Sequence, residues 1–229
     1  MTGLAYRVFS YFGLISIFGS LLYGFRYNPH APWRNYLFNI ALYGVWAAVH
    51  LAMTRQWFKR RVYGERAGSL VERQVFIAVT VVTWLAVLWC HRPVPGGSIA
   101  VPGLLRFAAH VGFLFCVFAF FEGATFGALD GLLGVPGSAM SHSHGGETPL
   151  LTEGRYAAVR HPQYQAALLA GICSLIIHPN TAQLLWCLMI GGTFVAFIPV
   201  EEGQLIAARG DAYVAYRQRT PWRLFPGVW

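Results

Sequence analysis

Arg160-His161-Pro162-Gln163-Tyr164 opens an apolar stretch that runs on to Val200, where Glu201-Glu202 closes it. A membrane-spanning helix needs about 20 mostly apolar residues, so the stretch is too long for one span. His178-Pro179-Asn180 breaks it near the middle, because Pro lacks a backbone donor and Asn favours a turn. The expected structure is two antiparallel helices, the first of them short. Their outer ends then bring Arg160-His161 and Glu201-Glu202 to one level. Charged groups beside a bilayer are costly and call for partners or a polar ligand.

Working back toward the N-terminus, four more apolar runs appear: Leu4 to Tyr23, Tyr36 to Met53, Val75 to Cys90 and Leu104 to Phe121. The fold class expected is all-α, a polytopic helical membrane protein with five to six transmembrane helices. The uncertainty in number comes from the last pair, which can also be counted as a re-entrant hairpin. One membrane domain is expected, without internal repeats. It comprises a four-helix part over 1–121, a loop over 122–160, and a hairpin with a cap over 161–229. Of the 229 residues, 56% are hydrophobic and only 11% charged, against about 25% charged in an average soluble domain. Such a chain cannot cover a globular surface with polar groups, so the lipid bilayer is its expected partner.

The net charge of +8 does not indicate nucleic acid, because the basic residues gather in short loops between apolar runs. Arg55, Lys59, Arg60, Arg61, Arg66 and Arg73 share one loop. With that loop on the cytoplasmic side, thirteen basic residues fall there and only Arg26, Arg34, Arg92 and Arg106 fall opposite. The positive-inside rule then places both termini and the two charged clusters in the cytoplasm, with the cell's inner membrane as the expected location. Arg7 and the apolar run after it lack a small-residue cleavage site, so a retained helix is expected rather than a signal peptide. Cys90, Cys116, Cys173 and Cys187 lie in or beside apolar runs with no C-x-x-C spacing, and no metal site or disulfide framework is expected. His142 and His144 sit in a Gly/Ser loop without further ligands, and read as part of a mobile linker.

Pro162 suits the first position of a helix, whose free N–H groups and positive dipole end attract anions. Arg160 and His161 stand beside that end, with Tyr156 and Tyr164 four residues to either side of Arg160. Glu201 and Glu202 read as closing the sixth helix, where the dipole would favour cations. They therefore need compensation from a ligand or from Arg160 itself, and a purely structural Arg–Glu clasp is the alternative. Leu205, Ile206, Ala212, Tyr213 and Tyr216 share one face of a following segment, read as an amphipathic cap on the membrane surface.

Arg160-His161-Pro162-x-Tyr164, the hairpin, Glu201-Glu202-Gly203-Gln204-Leu205, then Gly210-Asp211-Ala212-Tyr213-Val214-Ala215-Tyr216 with Pro221 and Pro226, resemble the integral-membrane methyltransferases that use S-adenosylmethionine. That superfamily includes isoprenylcysteine carboxyl methyltransferases, phospholipid methyltransferases and methanethiol S-methyltransferases. Trp46-Ala47-Ala48-Val49-His50, Gln56-Trp57-Phe58-Lys59-Arg60 and Leu88-Trp89-Cys90-His91-Arg92-Pro93 look most like the methanethiol group. Leu51 follows His50 where that group often has Ser, and Arg209 replaces an aromatic residue before Gly210.

The resemblance implies S-adenosylmethionine as cofactor, held by Tyr156, Arg160, His161, Pro162, Tyr164, Glu201, Glu202, Tyr213 and Tyr216. It implies methyl transfer to a small or lipophilic thiol. The thiol must act as thiolate, whose charge Arg160 or a protonated His50 could favour, with Glu122 as candidate base; these three are the candidate catalytic residues. A phospholipid or a prenylcysteine carboxylate is the alternative acceptor. Haem ligated by His50 and His161, as in an isomerase-like branch, is the alternative of another class. A transporter would carry polar groups near mid-membrane, whereas the charges here gather at helix ends.

Overall fold

Leu104, Phe107, Val111, Leu114, Phe115 and Phe118 stay exposed along one helix, and Leu4, Val8, Phe12 and Ile15 along another. Steps of three and four residues place each set on one helical face. Apolar stripes of this extent mark a surface covered by something other than water. The computed structural model describes residues 3–122, 133, 135 and 150–229. Five of its helices are long and apolar enough to cross a membrane: α1 (Gly3–Tyr23), α2 (Arg34–Thr54), α4 (Leu70–Cys90), α5 (Gly103–Glu122) and α8 (Thr181–Arg209). A shorter apolar helix, α7 (Pro162–Ile177), makes the sixth. The remaining helices are α3 (Gln56–Tyr63), α6 (Arg155–Ala158) and α9 (Asp211–Arg219). No strand forms among the described residues. The protein is an integral membrane protein of the all-α class.

The hairpin of α7 and α8 is the centre of the bundle. α5 packs along α7, α2 contacts both α4 and α8, and α1 bridges α4 and α7. Trp84, Tyr43, Phe113 and Trp186 are almost fully buried between them. A few buried polar side chains tie the helix ends together. Gln183 accepts from the Phe25 N–H at 3.0 Å and donates to Ser174 Oγ at 2.7 Å, while Ser174 donates to the Leu21 carbonyl. Asn39 donates to the Arg92 carbonyl and accepts from its N–H. In lipid every backbone polar group needs an internal partner, and these side chains supply partners where the helices stop.

The break after Ile177 falls where the sequence places it. Asn180 caps α8 by accepting from the Gln183 N–H at 3.0 Å. Asn180→Ala is expected to destabilise the protein by about 1 kcal/mol, read as a lowered midpoint of thermal unfolding in detergent.

Three boundaries differ from the sequence reading. The third span begins at Leu70, not Val75, because Ser69 and Glu72, spaced as in a capping box, hold its first turn. Ser69 accepts from the Glu72 N–H, and Glu72 reaches back to the Gly68 N–H. The basic loop before it is partly helical, forming α3. Most consequentially, Glu201 and Glu202 do not close the last long helix. α8 continues through Pro199 to Arg209 and ends only at Gly210, whose φ of +53° a residue with a side chain adopts reluctantly. Leu205 and Ile206 therefore belong to α8, and the expected single amphipathic cap is two helices.

The extra length has a physical consequence. At about 1.5 Å per residue, α8 spans roughly 43 Å against a hydrocarbon core of about 30 Å. About 20 residues cross the core, which leaves Glu201 and Glu202 at its edge. The loop read as a mobile linker is also anchored in part. Leu133 and Val135 are buried against Tyr6, whose hydroxyl donates to the Leu133 carbonyl at 2.7 Å. His142 and His144 lie outside the described residues.

Candidate functional site

Arg160 leaves the short α6 and arrives beside α8, where the hairpin's antiparallel path sets it against Glu202. Its Nε donates to Glu202 Oε1 at 2.7 Å, and both side chains are about 95% buried. One guanidinium nitrogen of Arg160 donates to the carbonyls of Thr220 and Pro221 at 2.8 and 2.6 Å. Arg223 takes the other side of the same carboxylate, with Nε 3.1 Å from Glu202 Oε2. His161 Nε2 lies 3.4 Å from Glu202 Oε1. A buried carboxylate thus holds three cationic or cation-capable groups, and the chain after α9 is tied back over the start of α7. The Arg160 and His161 N–H groups donate to the Trp222 and Arg223 carbonyls, and Gln165 donates to the Leu224 carbonyl.

Glu201 is situated differently. Its Oε2 is buried without a hydrogen-bond partner among the described residues, 3.6 Å from His161 Nδ1. It lines a cavity of about 360 Å³ between the α2–α3–α4 corner and the α7–α8 hairpin. Tyr164, Phe197 and Phe76 give the cavity aromatic walls, and Lys59, Glu72 and Arg73 give it a charged rim. Tyr164 is held flat against the His161 ring on one side and against Phe194 on the other. Lys59 pairs with Glu72 at 2.7 Å. A concave, partly apolar space with a few convergent charges is the usual form of a small-molecule site.

The electrostatics of His161 follow from these neighbours. Burial disfavours its charged form, but the neighbouring carboxylates of Glu201 and Glu202 outweigh burial and hold its pKa above the ordinary 6.5. A raised folded-state pKa contributes stability that is fully present below pH 6.5 and is lost as pH rises through the raised value. The unfolding midpoint should therefore fall as pH climbs from 6.5, and His161→Gln should remove that part of the slope. Tyr213 is buried beside the cluster, its hydroxyl without a partner among the described residues. Burial, reinforced by the charge of Glu202, pushes its pKa up to about 12, so it stays a neutral donor.

The structure brings together Arg160, His161, Pro162, Tyr164, Glu201 and Glu202, as the sequence reading expects, with Tyr213 and Tyr216 alongside. Tyr216 donates to the Tyr156 carbonyl at 2.8 Å. Tyr156 and Tyr164 do not line one pocket: Tyr156 lines a separate cavity of about 250 Å³ with Arg155 and Pro162. Arg160 is engaged by Glu202 and by backbone carbonyls, which is the clasp alternative. His50 stands apart, its Nε2 2.9 Å from Thr80 Oγ1 and its ring between Trp46 and Phe76. His50 and His161, the pair the haem alternative needs, are each held by their own neighbours. Glu122 ends α5, and its side chain lies outside the described residues. No cluster of metal-ligating side chains occurs among the described residues. Sequence reasoning missed Arg223, Lys59, Glu72 and Phe76. Of these, only Glu72 carries a signal, the Ser69-x-x-Glu72 capping box.

Comparison with known proteins points the same way. The chain is 34% identical over 73 residues to the Protein-S-isoprenylcysteine O-methyltransferase of Schizosaccharomyces pombe, a match covering 31% of each chain. It is 27% identical over 200 residues to Methanethiol S-methyltransferase 1 of Bradyrhizobium diazoefficiens, covering 82% of this chain and 67% of that one. The chain is similar to the integral-membrane methyltransferases. The match to the first relative spans less than a third of its length, and that to the second about two thirds. No protein-family model matches the chain. No solved structure matches it. The similarity to a methyltransferase superfamily gives the cavity beside Glu201 a chemical context.

Proposed function

We propose that this chain is a methyltransferase of the cell's inner membrane that uses S-adenosylmethionine, with the Glu201 cavity on the cytoplasmic side. One observation carries the reading: Glu201 Oε2 is buried without a hydrogen-bond partner among the described residues, on the wall of a cavity with aromatic walls and a charged rim. The donor set fits the cofactor's groups. Glu201 suits an ammonium or ribose hydroxyls, Lys59 and Arg73 suit a carboxylate, and Tyr164, Phe76 and Phe197 suit an adenine face. When bound, S-adenosylmethionine supplies a methyl group activated by the sulfonium charge. The protein's own task is to align and desolvate the reactants.

In this reading Arg160, His161, Glu202 and Arg223 position Glu201 and Tyr164, and Pro162 starts α7 so that the clasp and the cavity share one level. Tyr213 and Tyr216 close the cluster from α9, and Tyr156 joins them through its carbonyl. A free thiol has a pKa of about 8.5, so the acceptor's proton must leave before transfer. His50 Nδ1, buried without a partner behind Phe76, and the Glu122 carboxyl are the groups we assign to accept it.

The acceptor we favour is a small or lipophilic thiol. The motive is the longer match to a protein named as a methanethiol methyltransferase, together with the His50 and His91-Arg92-Pro93 regions. The test incubates purified protein with methyl-labelled S-adenosylmethionine and a panel of thiols, phospholipids and prenylcysteines. Label in a thioether supports the reading. Label in phospholipid or in a base-labile methyl ester overturns the thiol choice and keeps the methyltransferase. No label in any acceptor, from protein that binds the cofactor, contradicts the enzyme assignment.

A further inference from the structure

The helix α3 joins two spans, leaving α2 at Arg55 and leading through the turn Gly64–Arg66 into α4. It therefore lies at one membrane face rather than across it. Lys59 is tied to Glu72 of α4 at 2.7 Å, which fixes the rotation of α3 about its axis. With that pair made, Arg60 and Arg61 are left exposed, and so are Trp57 at 65% and Val62 at 54%. Arg66 is also exposed, Arg55 stands half-buried at the head of the helix, and Glu65 is the one carboxylate within this segment outside the Lys59–Glu72 pair. Exposed apolar side chains next to arginines, on a short helix at a span's end, match the boundary between acyl chains and headgroups. Trp favours that depth, and arginine takes phosphate bidentately.

We propose that the outward face of α3 is a binding site for anionic phospholipid headgroups. Arg60 and Arg61 take the phosphate and the headgroup charge, Arg55 and Arg66 flank them, and Trp57, three and four residues before Arg60 and Arg61 on the same face, enters the acyl boundary. The occupant is a lipid and not a soluble anion, because Trp57 would otherwise stand in water between the arginines. The consequence reaches the site already described. Lys59 and Glu72 both line the Glu201 cavity, so a lipid that holds α3 also holds the cavity's rim. Recognition by this face depends on neither the cofactor nor the acceptor.

The test places the full chain in phosphatidylcholine nanodiscs with a small, equal fraction of brominated phosphatidylglycerol or brominated phosphatidylcholine. Bromine quenches nearby tryptophan, and subtracting the Trp57→Phe signal isolates Trp57 from the other seven tryptophans. The expected result is that brominated phosphatidylglycerol quenches Trp57 at far lower fractions than brominated phosphatidylcholine does. The doubly substituted Arg60→Gln, Arg61→Gln protein should lose about fivefold of that preference per charge. Raising the salt should weaken it in the parent. Both arginines are exposed, so the variant should melt like the parent. Equal quenching by the two lipids, or an unchanged preference in a folded double variant, overturns the proposal.

Discussion

Replacing Glu202 with Ala is expected to destabilise the protein by about 3–5 kcal/mol, the largest effect of any single change in the cluster. Glu202 accepts from Arg160 at 2.7 Å and from Arg223 at 3.1 Å, and lies 3.4 Å from His161. Removing the carboxylate leaves a buried guanidinium beside the His161 imidazole with no anion between them. It also releases Arg223, and with it part of the tie between the chain's end and α7. The expected readout is a strongly lowered unfolding midpoint, or loss of the monodisperse folded fraction in detergent. A Glu202→Ala protein that melts like the parent would show that the tail carbonyls alone hold Arg160.

Glu201→Ala should do the opposite. Its side chain is 43% exposed and Oε2 lies 3.6 Å from His161 Nδ1, and after truncation Glu202, 3.4 Å from His161 Nε2, still faces that imidazole. Stability should stay within about 0.5 kcal/mol of the parent. Affinity for S-adenosylmethionine should fall at least about 30-fold, the equivalent of losing roughly 2 kcal/mol from a desolvated charge contact. The adjacent pair thereby separates into one residue that holds the fold and one that faces the ligand. Glu122→Ala is expected to bind the cofactor more like the parent than Glu201→Ala does. Equal binding by Glu201→Ala and the parent would remove Glu201 from the site.

Much of this was legible before any coordinates. Pro179 in an over-long apolar run dictates a hairpin, and a hairpin dictates that residues near 160 meet residues near 202. The level of the cluster followed from topology alone. The role of each carboxylate did not. Dipole logic treats Glu201 and Glu202 alike, and it applied to a helix end that the structure puts at Arg209, beyond Pro199. Proline inside a membrane helix is tolerated because neighbouring groups satisfy the freed carbonyl, so Pro199 gave no stop.

The clasp on Arg160 was illegible for another reason. Its acceptors at Thr220 and Pro221 are backbone carbonyls, which every residue carries and no sequence pattern marks. The wall of the cavity formed by Phe76, Lys59 and Glu72 depends on how α3 and α4 sit against the α7–α8 hairpin, a packing choice rather than a local propensity. The start of α4 was different. Ser69-Leu70-Val71-Glu72 is a capping box written in the sequence, hidden only because charged residues precede its apolar run.

Isothermal titration of the detergent-solubilised parent with S-adenosylmethionine, and with its demethylated product, tests the central claim most directly. Saturable heat from both, reduced at least about 30-fold in affinity by Glu201→Ala with its melting unchanged, is the predicted result. No heat from either ligand, with protein shown to be folded by its cooperative melting, would contradict the account.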